Sequence, residues 1–128
     1  MAKGMRADKP IAVWVEDDPD FQAVVREWLL PRYDLMTYND GESLLDELKG
    51  LEPDIFILDV RLPGIDGFKL CRKIRRDQRL ASIPILFLTS CKEDVDFIKH
   101  LDVGGTAYLN KPAERKELLS RLEELLPE

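Results

Sequence analysis

The sequence predicts a doubly wound α/β domain, a five-stranded parallel sheet with helices on both faces. Two observations predict it. Apolar runs of strand length alternate five times with segments of helical period. Several of those runs, residues 11–15 and 55–58 above all, are apolar without a break, as strands covered on both faces require. Strict alternation further demands right-handed crossovers between parallel strands.

The first strand is expected at Ile11–Val15, followed by Asp18 as helix N-cap and Pro19 at the first helical position. Phe21, Val24, Val25, Trp28 and Leu29 then recur at helical spacing, a stripe that packs one helix face on the sheet, and Pro31 ends the helix. Residues 35–38 form a weaker strand near an edge. Asn39-Asp40-Gly41 turns into a helix with Leu44, Leu45 and Leu48 inward, closed by Gly50. The third strand, 55–58, leads through Pro63 and Gly64 into a helix carrying Phe68, Cys71 and Ile74. The fourth strand is 85–88. Val95, Ile98 and Leu101 mark the fourth helix, which Gly104-Gly105 stops. Residues 107–109 make a short fifth strand, and 114–126 a last amphipathic helix.

The 128 residues fit one domain, read as residues 10–128 behind a flexible N-terminal tail, 1–9. With 45% hydrophobic and 34% charged residues, wholesale disorder is excluded. No apolar run is long enough to cross a bilayer, and residues 1–10 lack the apolar core of a secretory signal. Cys71 and Cys91 make neither a disulfide framework nor a zinc site, which fits a reducing cytoplasm. A net charge of −6 argues against direct contact with nucleic acid.

Ligands of such sheets bind outside the carboxyl ends of the strands. Glu16 and Asp17 follow the first strand, Asp59 the third, Thr89 the fourth and Lys111 the fifth. The topology gathers them at one edge. Three carboxylates against one ammonium leave a charge of about −2, which one hard divalent cation offsets; oxygen-only ligands suit Mg²⁺. A phosphodonor can then place its phosphoryl group between cation and Lys111, where a carboxylate attacks in line. Asp18 and Asp20 read as helix-cap and loop acids.

With these residues assembled, the chain resembles the receiver domain of bacterial two-component response regulators from about Ile11 to Leu126. The segments that carry the resemblance are Val13-Trp14-Val15-Glu16-Asp17-Asp18-Pro19, Ile57-Leu58-Asp59-Val60-Arg61-Leu62-Pro63-Gly64-Ile65-Asp66-Gly67, Leu86-Phe87-Leu88-Thr89-Ser90 and Ala107-Tyr108-Leu109-Asn110-Lys111-Pro112. The resemblance implies a flavodoxin-like strand order 2-1-3-4-5. It implies that Asp59 accepts a phosphoryl group from a sensor histidine kinase or histidine phosphotransfer protein, with Lys111 on the phosphoryl oxygens. Mg²⁺ would be bound by the side chains of Asp17 and Asp59, by Glu16 through water and by the backbone carbonyl of Arg61. Thr89 and Tyr108 would be the switch residues, moving the surface of fourth helix, fifth strand and fifth helix toward a downstream protein target or effector domain. The module would catalyse only its own phosphorylation and dephosphorylation. The Lys111–Pro112 bond is expected to be cis. Homodimerisation through the same surface stays open.

Ala113 stands where many relatives have Phe, and Arg61 and Cys91 stand where the family tunes acyl-phosphate lifetime. Arg61 could shield the phosphoryl group or pair with Glu16. Arg72, Lys73, Arg75, Arg76 and Arg79 read as a solvated helix face rather than a docking patch. His100 reads as a surface histidine, Cys71 and Trp14 as core. Tyr108 could also be a static partner of the sheet. Complete retention of Glu16, Asp17, Asp59, Thr89 and Lys111 argues against an interaction module that no longer uses phosphorylation. Arg61 in place of a second acid argues against an aspartyl phosphohydrolase. The Glu-Asp-Asp-Pro turn after the first strand argues against a nucleotide-binding protein with a Gly-rich loop.

Overall fold

The computed structural model describes residues 9–99 and 106–126. The strands are β1 Ile11–Val15, β2 Asp34–Tyr38, β3 Ile55–Asp59, β4 Ile85–Thr89 and β5 Thr106–Asn110. The helices are α1 Pro19–Leu29, α2 Gly41–Glu47, α3 Gly67–Arg75, α4 Lys92–Lys99 and α5 Arg115–Leu125. All strand pairs are parallel, in the order β2-β1-β3-β4-β5. That is the flavodoxin-like order expected, with β2 and β5 at the edges. The strand order reverses beside β1, so the pocket of a doubly wound fold opens between the ends of β1 and β3.

Period-two alternation divides the core between two faces. Val13, Val15, Phe56, Leu58, Ile85 and Phe87 pack with Leu44 of α2, Leu70 and Ile74 of α3 and Ile98 of α4. Their strand neighbours Ala12, Trp14, Ile55, Ile57, Leu86 and Leu88 pack with Val25 and Leu29 of α1 and Leu118 and Leu122 of α5. Trp14 and Cys71 are core residues, as expected. Ala113 is buried in the α1–α5 layer, so the small side chain is accommodated there. Short polar side chains start the helices. Asp18, Asp40 and Asp66 each accept backbone N–H groups at the starts of α1, α2 and α3.

Several expectations are corrected. Val24 is 51% exposed. Successive helical residues turn by about 100°, so Val24 falls at the rim of the stripe that Val25 and Leu29 centre. Strands β3 and β4 each reach one residue past their apolar runs, because backbone pairing carries Asp59 opposite Leu88 and Thr89 opposite Asn110. The α3 cations are not uniformly solvated. Arg75 donates to the carbonyls of Leu80 and Ile83, and Arg79 to those of Leu48 and Leu51. These two guanidiniums tie the loops that follow α2 and α3, while Arg72, Lys73 and Arg76 are exposed. His100, Leu101, Gly104-Gly105 and residues 1–8 of the expected tail lie outside the described residues.

Candidate functional site

The site is built at the carboxyl edge of the three central strands and β5. Glu16 leaves β1, and its N–H continues the ladder by donating to the Tyr38 carbonyl at 3.0 Å. Its side chain is fully buried. Asp17 is the next residue, exposed at the pocket mouth. Asp59 ends β3 at 5% exposure. One carboxylate oxygen from each of Glu16, Asp17 and Asp59 lies within 4.8 Å of the other two. Residues 43 positions apart thus meet because β1 and β3 are neighbours in the sheet.

Lys111 follows β5, where its N–H donates to the Thr89 carbonyl at 2.8 Å. The Lys111–Pro112 peptide is cis, as the resemblance implied. The ammonium donates to Asp59 Oδ2 at 3.0 Å and lies 2.9 Å from Glu16 Oε1. Phe21 of α1 lies beneath it, with Nζ 4.6 Å from the ring centroid. Burial works against the Lys111 charge, but the Glu16 and Asp59 carboxylates outweigh it and push its pKa up. Burial holds the Glu16 carboxyl above the usual range; Lys111 opposes that effect and Asp59 adds to it.

The donor set fits a hard divalent cation. All three side chains offer oxygen, and Glu16 Oε1 is a buried carboxylate oxygen that Lys111 approaches without an aligned hydrogen bond. Glu16 Oε2 is turned back to accept the Asp18 N–H at 3.1 Å. The Arg61 N–H donates to Asp59 Oδ1 at 3.3 Å, which brings the Arg61 backbone to the same pocket. The bend after Asp59 is tight. A Cβ on Gly67 would sit 2.4 Å from the Asp59 carbonyl oxygen and 2.8 Å from Val60 Cα. Gly64, at φ +72°, supplies the left-handed turn of the same loop.

The Arg61 side chain corrects an expectation. It does not pair with Glu16. Its Nε and Nη2 grip Asp94 of α4 at 2.8 and 3.1 Å, and Nη2 lies 3.2 Å from Cys91 Sγ. Cys91 Sγ in turn lies 3.3 Å from Glu93 Oε2. Thr89 is fully buried and donates its hydroxyl to Asp94 Oδ2 at 3.2 Å. Tyr108 is half-buried beside Phe87, with Lys99 Nζ 5.9 Å from its ring centroid. Asp94 and Phe21 are the residues that sequence reasoning passed over as site neighbours. For Asp94 a signal existed: it stands four residues before Ile98 and next to Val95, on the inward arc of α4.

The fold and the edge that carries these groups define a doubly wound, flavodoxin-like α/β domain with an acidic pocket bridged by one lysine. The family model described as the response regulator receiver domain matches residues 12–123, and the chain belongs to that family, the receiver domain of two-component systems. It is 37% identical over 118 residues to the DNA-binding dual master transcriptional regulator RpaA of Synechocystis, covering 91% of this chain and 49% of that protein. It is 32% identical to hybrid signal transduction histidine kinase D of Dictyostelium discoideum, covering 93% of this chain and 8% of the kinase. Among solved structures, the chemotaxis response regulator CheY4 of Vibrio cholerae superposes with a TM-score of 0.82 at 26% identity, over 92% of this chain and 99% of that one. The receiver domain of a sensor histidine kinase from Pseudomonas aeruginosa, with a magnesium ion coordinated in its active site cleft, gives 0.81 at 30% identity, over 91% and 97%. The chain spans about half the length of the transcriptional regulators it matches. Among the described residues, no helix is long and apolar enough to cross a membrane.

Proposed function

We propose that Asp59 is the phosphoacceptor of a two-component or phosphorelay pathway, and that the chain switches an output surface when Asp59 is phosphorylated. The observation that carries this reading is the convergence of Glu16, Asp17 and Asp59 around one point, with the Lys111 ammonium 3.0 Å from the Asp59 carboxylate. Asp59 is the cluster's member at the end of a strand, and its two carboxylate oxygens accept from the Arg61 N–H and from Lys111. An Asp59 oxygen attacks phosphorus, the bond from phosphorus to the donor breaks, and the donor leaves with its electron pair. An acyl phosphate remains. Lys111 would then balance the phosphoryl charge from the position it already occupies.

Mg²⁺ would be held by Asp17, Asp59, Glu16 and the Arg61 backbone carbonyl, and would supply charge neutralisation for the incoming phosphoryl group. The donor would be a sensor histidine kinase or a histidine phosphotransfer protein. Thr89 and Tyr108 would relay the change to the surface of α4, β5 and α5, read by a downstream protein or an attached effector. In this reading the chain catalyses its own phosphorylation and dephosphorylation and turns over no other substrate. The test is intact mass after incubation with a small phosphodonor and Mg²⁺. A phosphate adduct on wild type that disappears in Asp59→Ala is the expected result; an equal adduct in both would overturn it.

A further inference from the structure

Outside the acidic cluster, Asp94 is the only buried carboxylate among the described residues, at 7% exposure in the first turn of α4. A buried carboxylate needs partners, and its partners are unusual. Oδ2 accepts from Thr89 Oγ1 at 3.2 Å and from Arg61 Nε at 2.8 Å, while Oδ1 accepts from Arg61 Nη2 at 3.1 Å. Thr89 Oγ1 accepts the Cys91 N–H at 3.1 Å. A hydroxyl has one proton to donate, and here it goes to Asp94.

We propose that Asp94 is a positioning residue, a latch that holds the Thr89 hydroxyl on α4 and must release it before Thr89 can bond a phosphoryl group on Asp59. The inference rests on reading Asp59 as phosphoacceptor with Thr89 as its responding hydroxyl. Arg61 links the two carboxylates, since its N–H donates to Asp59 Oδ1 at 3.3 Å and its guanidinium grips Asp94. The Arg61 side chain is 65% exposed, so the ion pair is screened and serves mainly to orient Asp94. The Thr89–Asp94 bond is buried and so is not screened by solvent in the same way. Neutralising Asp94 weakens that bond and removes a negative charge, and both changes favour an added phosphoryl group.

The test compares wild type, Asp94→Asn, Thr89→Ala and the double variant with one small phosphodonor and Mg²⁺, following adduct mass over time. Asp94→Asn is expected to accumulate adduct on the order of fivefold faster than wild type, the scale of a modest coupling between sites. In the Thr89→Ala background the same substitution is expected to change the rate by less than about twofold. Equal acceleration in both backgrounds assigns Asp94 a general charge effect and overturns the latch, as does no acceleration in wild type. If wild type takes up no phosphoryl group, the reading of Asp59 falls, and hydrogen exchange without donor still decides the latch. The Cys91 amide should exchange severalfold faster in Asp94→Asn; an unchanged rate there overturns it.

Discussion

Lys111 Nζ donates to Asp59 Oδ2 at 3.0 Å across 52 residues of sequence, and the same ammonium lies 2.9 Å from Glu16. One cation therefore holds together two carboxylates that would otherwise repel in a buried pocket. Lys111→Met removes that cation at a site where its side chain is only 17% exposed. The expected cost is about 1–3 kcal/mol in metal-free protein, seen as a lowered urea midpoint with unchanged slope. The same variant should take up phosphate more than about tenfold more slowly, one lost charge-assisted contact to the transferring group.

Mg²⁺ should replace part of what Lys111 does. Burial raises the Glu16 pKa in the folded state, so the metal-free fold gains from Glu16 protonation at low pH and loses that gain as pH rises through the raised value. A cation bound only by the folded chain offsets the loss. At about ten times its Kd, Mg²⁺ should stabilise by about 1.4 kcal/mol, a rise in Tm of about 4–6 °C, larger at pH 8 than at pH 5. Asp17→Asn should lower the response while leaving the metal-free Tm within about 2 °C, since Asp17 is exposed. Calorimetry with and without Mg²⁺ checks both.

Gly67 lets α3 start directly against the Asp59 carbonyl. Gly67→Ala drives a methyl to 2.4 Å from Asp59 O, a backbone atom that cannot swing aside. A loss of about 2–4 kcal/mol is expected by denaturant titration. Gly50 is the control, because a Cβ there meets nothing within 4 Å. Gly50→Ala should stay within about 1 kcal/mol of wild type.

Tyr38 ties edge strand β2 to α2 by donating to Glu47 Oε1 at 2.6 Å. Burial, with Glu47 as acceptor, pushes its pKa up to about 12. The folded state therefore favours the neutral phenol. Its contribution is complete below the ordinary tyrosine value of 10.0 and is lost as pH rises toward about 12. Tyr38→Phe should cost about 0.5–1 kcal/mol at pH 8, and the difference from wild type should shrink above pH 10. Phenolate absorbance of wild type and variant identifies the late-titrating group.

The sheet was legible because short unbroken apolar runs such as 55–58, flanked by turn residues, leave no polar face, as strands covered on both sides require. The pocket was legible for the same reason. Once strand ends were known, Glu16, Asp17, Asp59, Thr89 and Lys111 had to share an edge, and the structure brings Glu16, Asp17, Asp59 and Lys111 together there. Asp94 was not legible in that way. It sits among Glu93 and Asp96, and only its helical phase, four residues before Ile98, marks it as the inward-facing acid. Nor could spacing choose the partner of Arg61. A long side chain reaches several acids, and only packed α4 shows that Asp94 is the one gripped. Arg75 and Arg79 looked like surface charge for a related reason: their acceptors are loop carbonyls, which a sequence does not mark.

If Asp59 is the phosphoacceptor, it and no other carboxylate of the pocket carries the phosphoryl group. Borohydride reduces an acyl phosphate of aspartate to homoserine, so treatment of the Mg²⁺- and phosphodonor-exposed protein followed by peptide mass mapping reads the site directly. Reduction at position 59 alone is expected, and none when Mg²⁺ is withheld. Reduction at position 16 or 17, or an unmodified peptide spanning position 59 beside a phosphorylated one elsewhere, would contradict it.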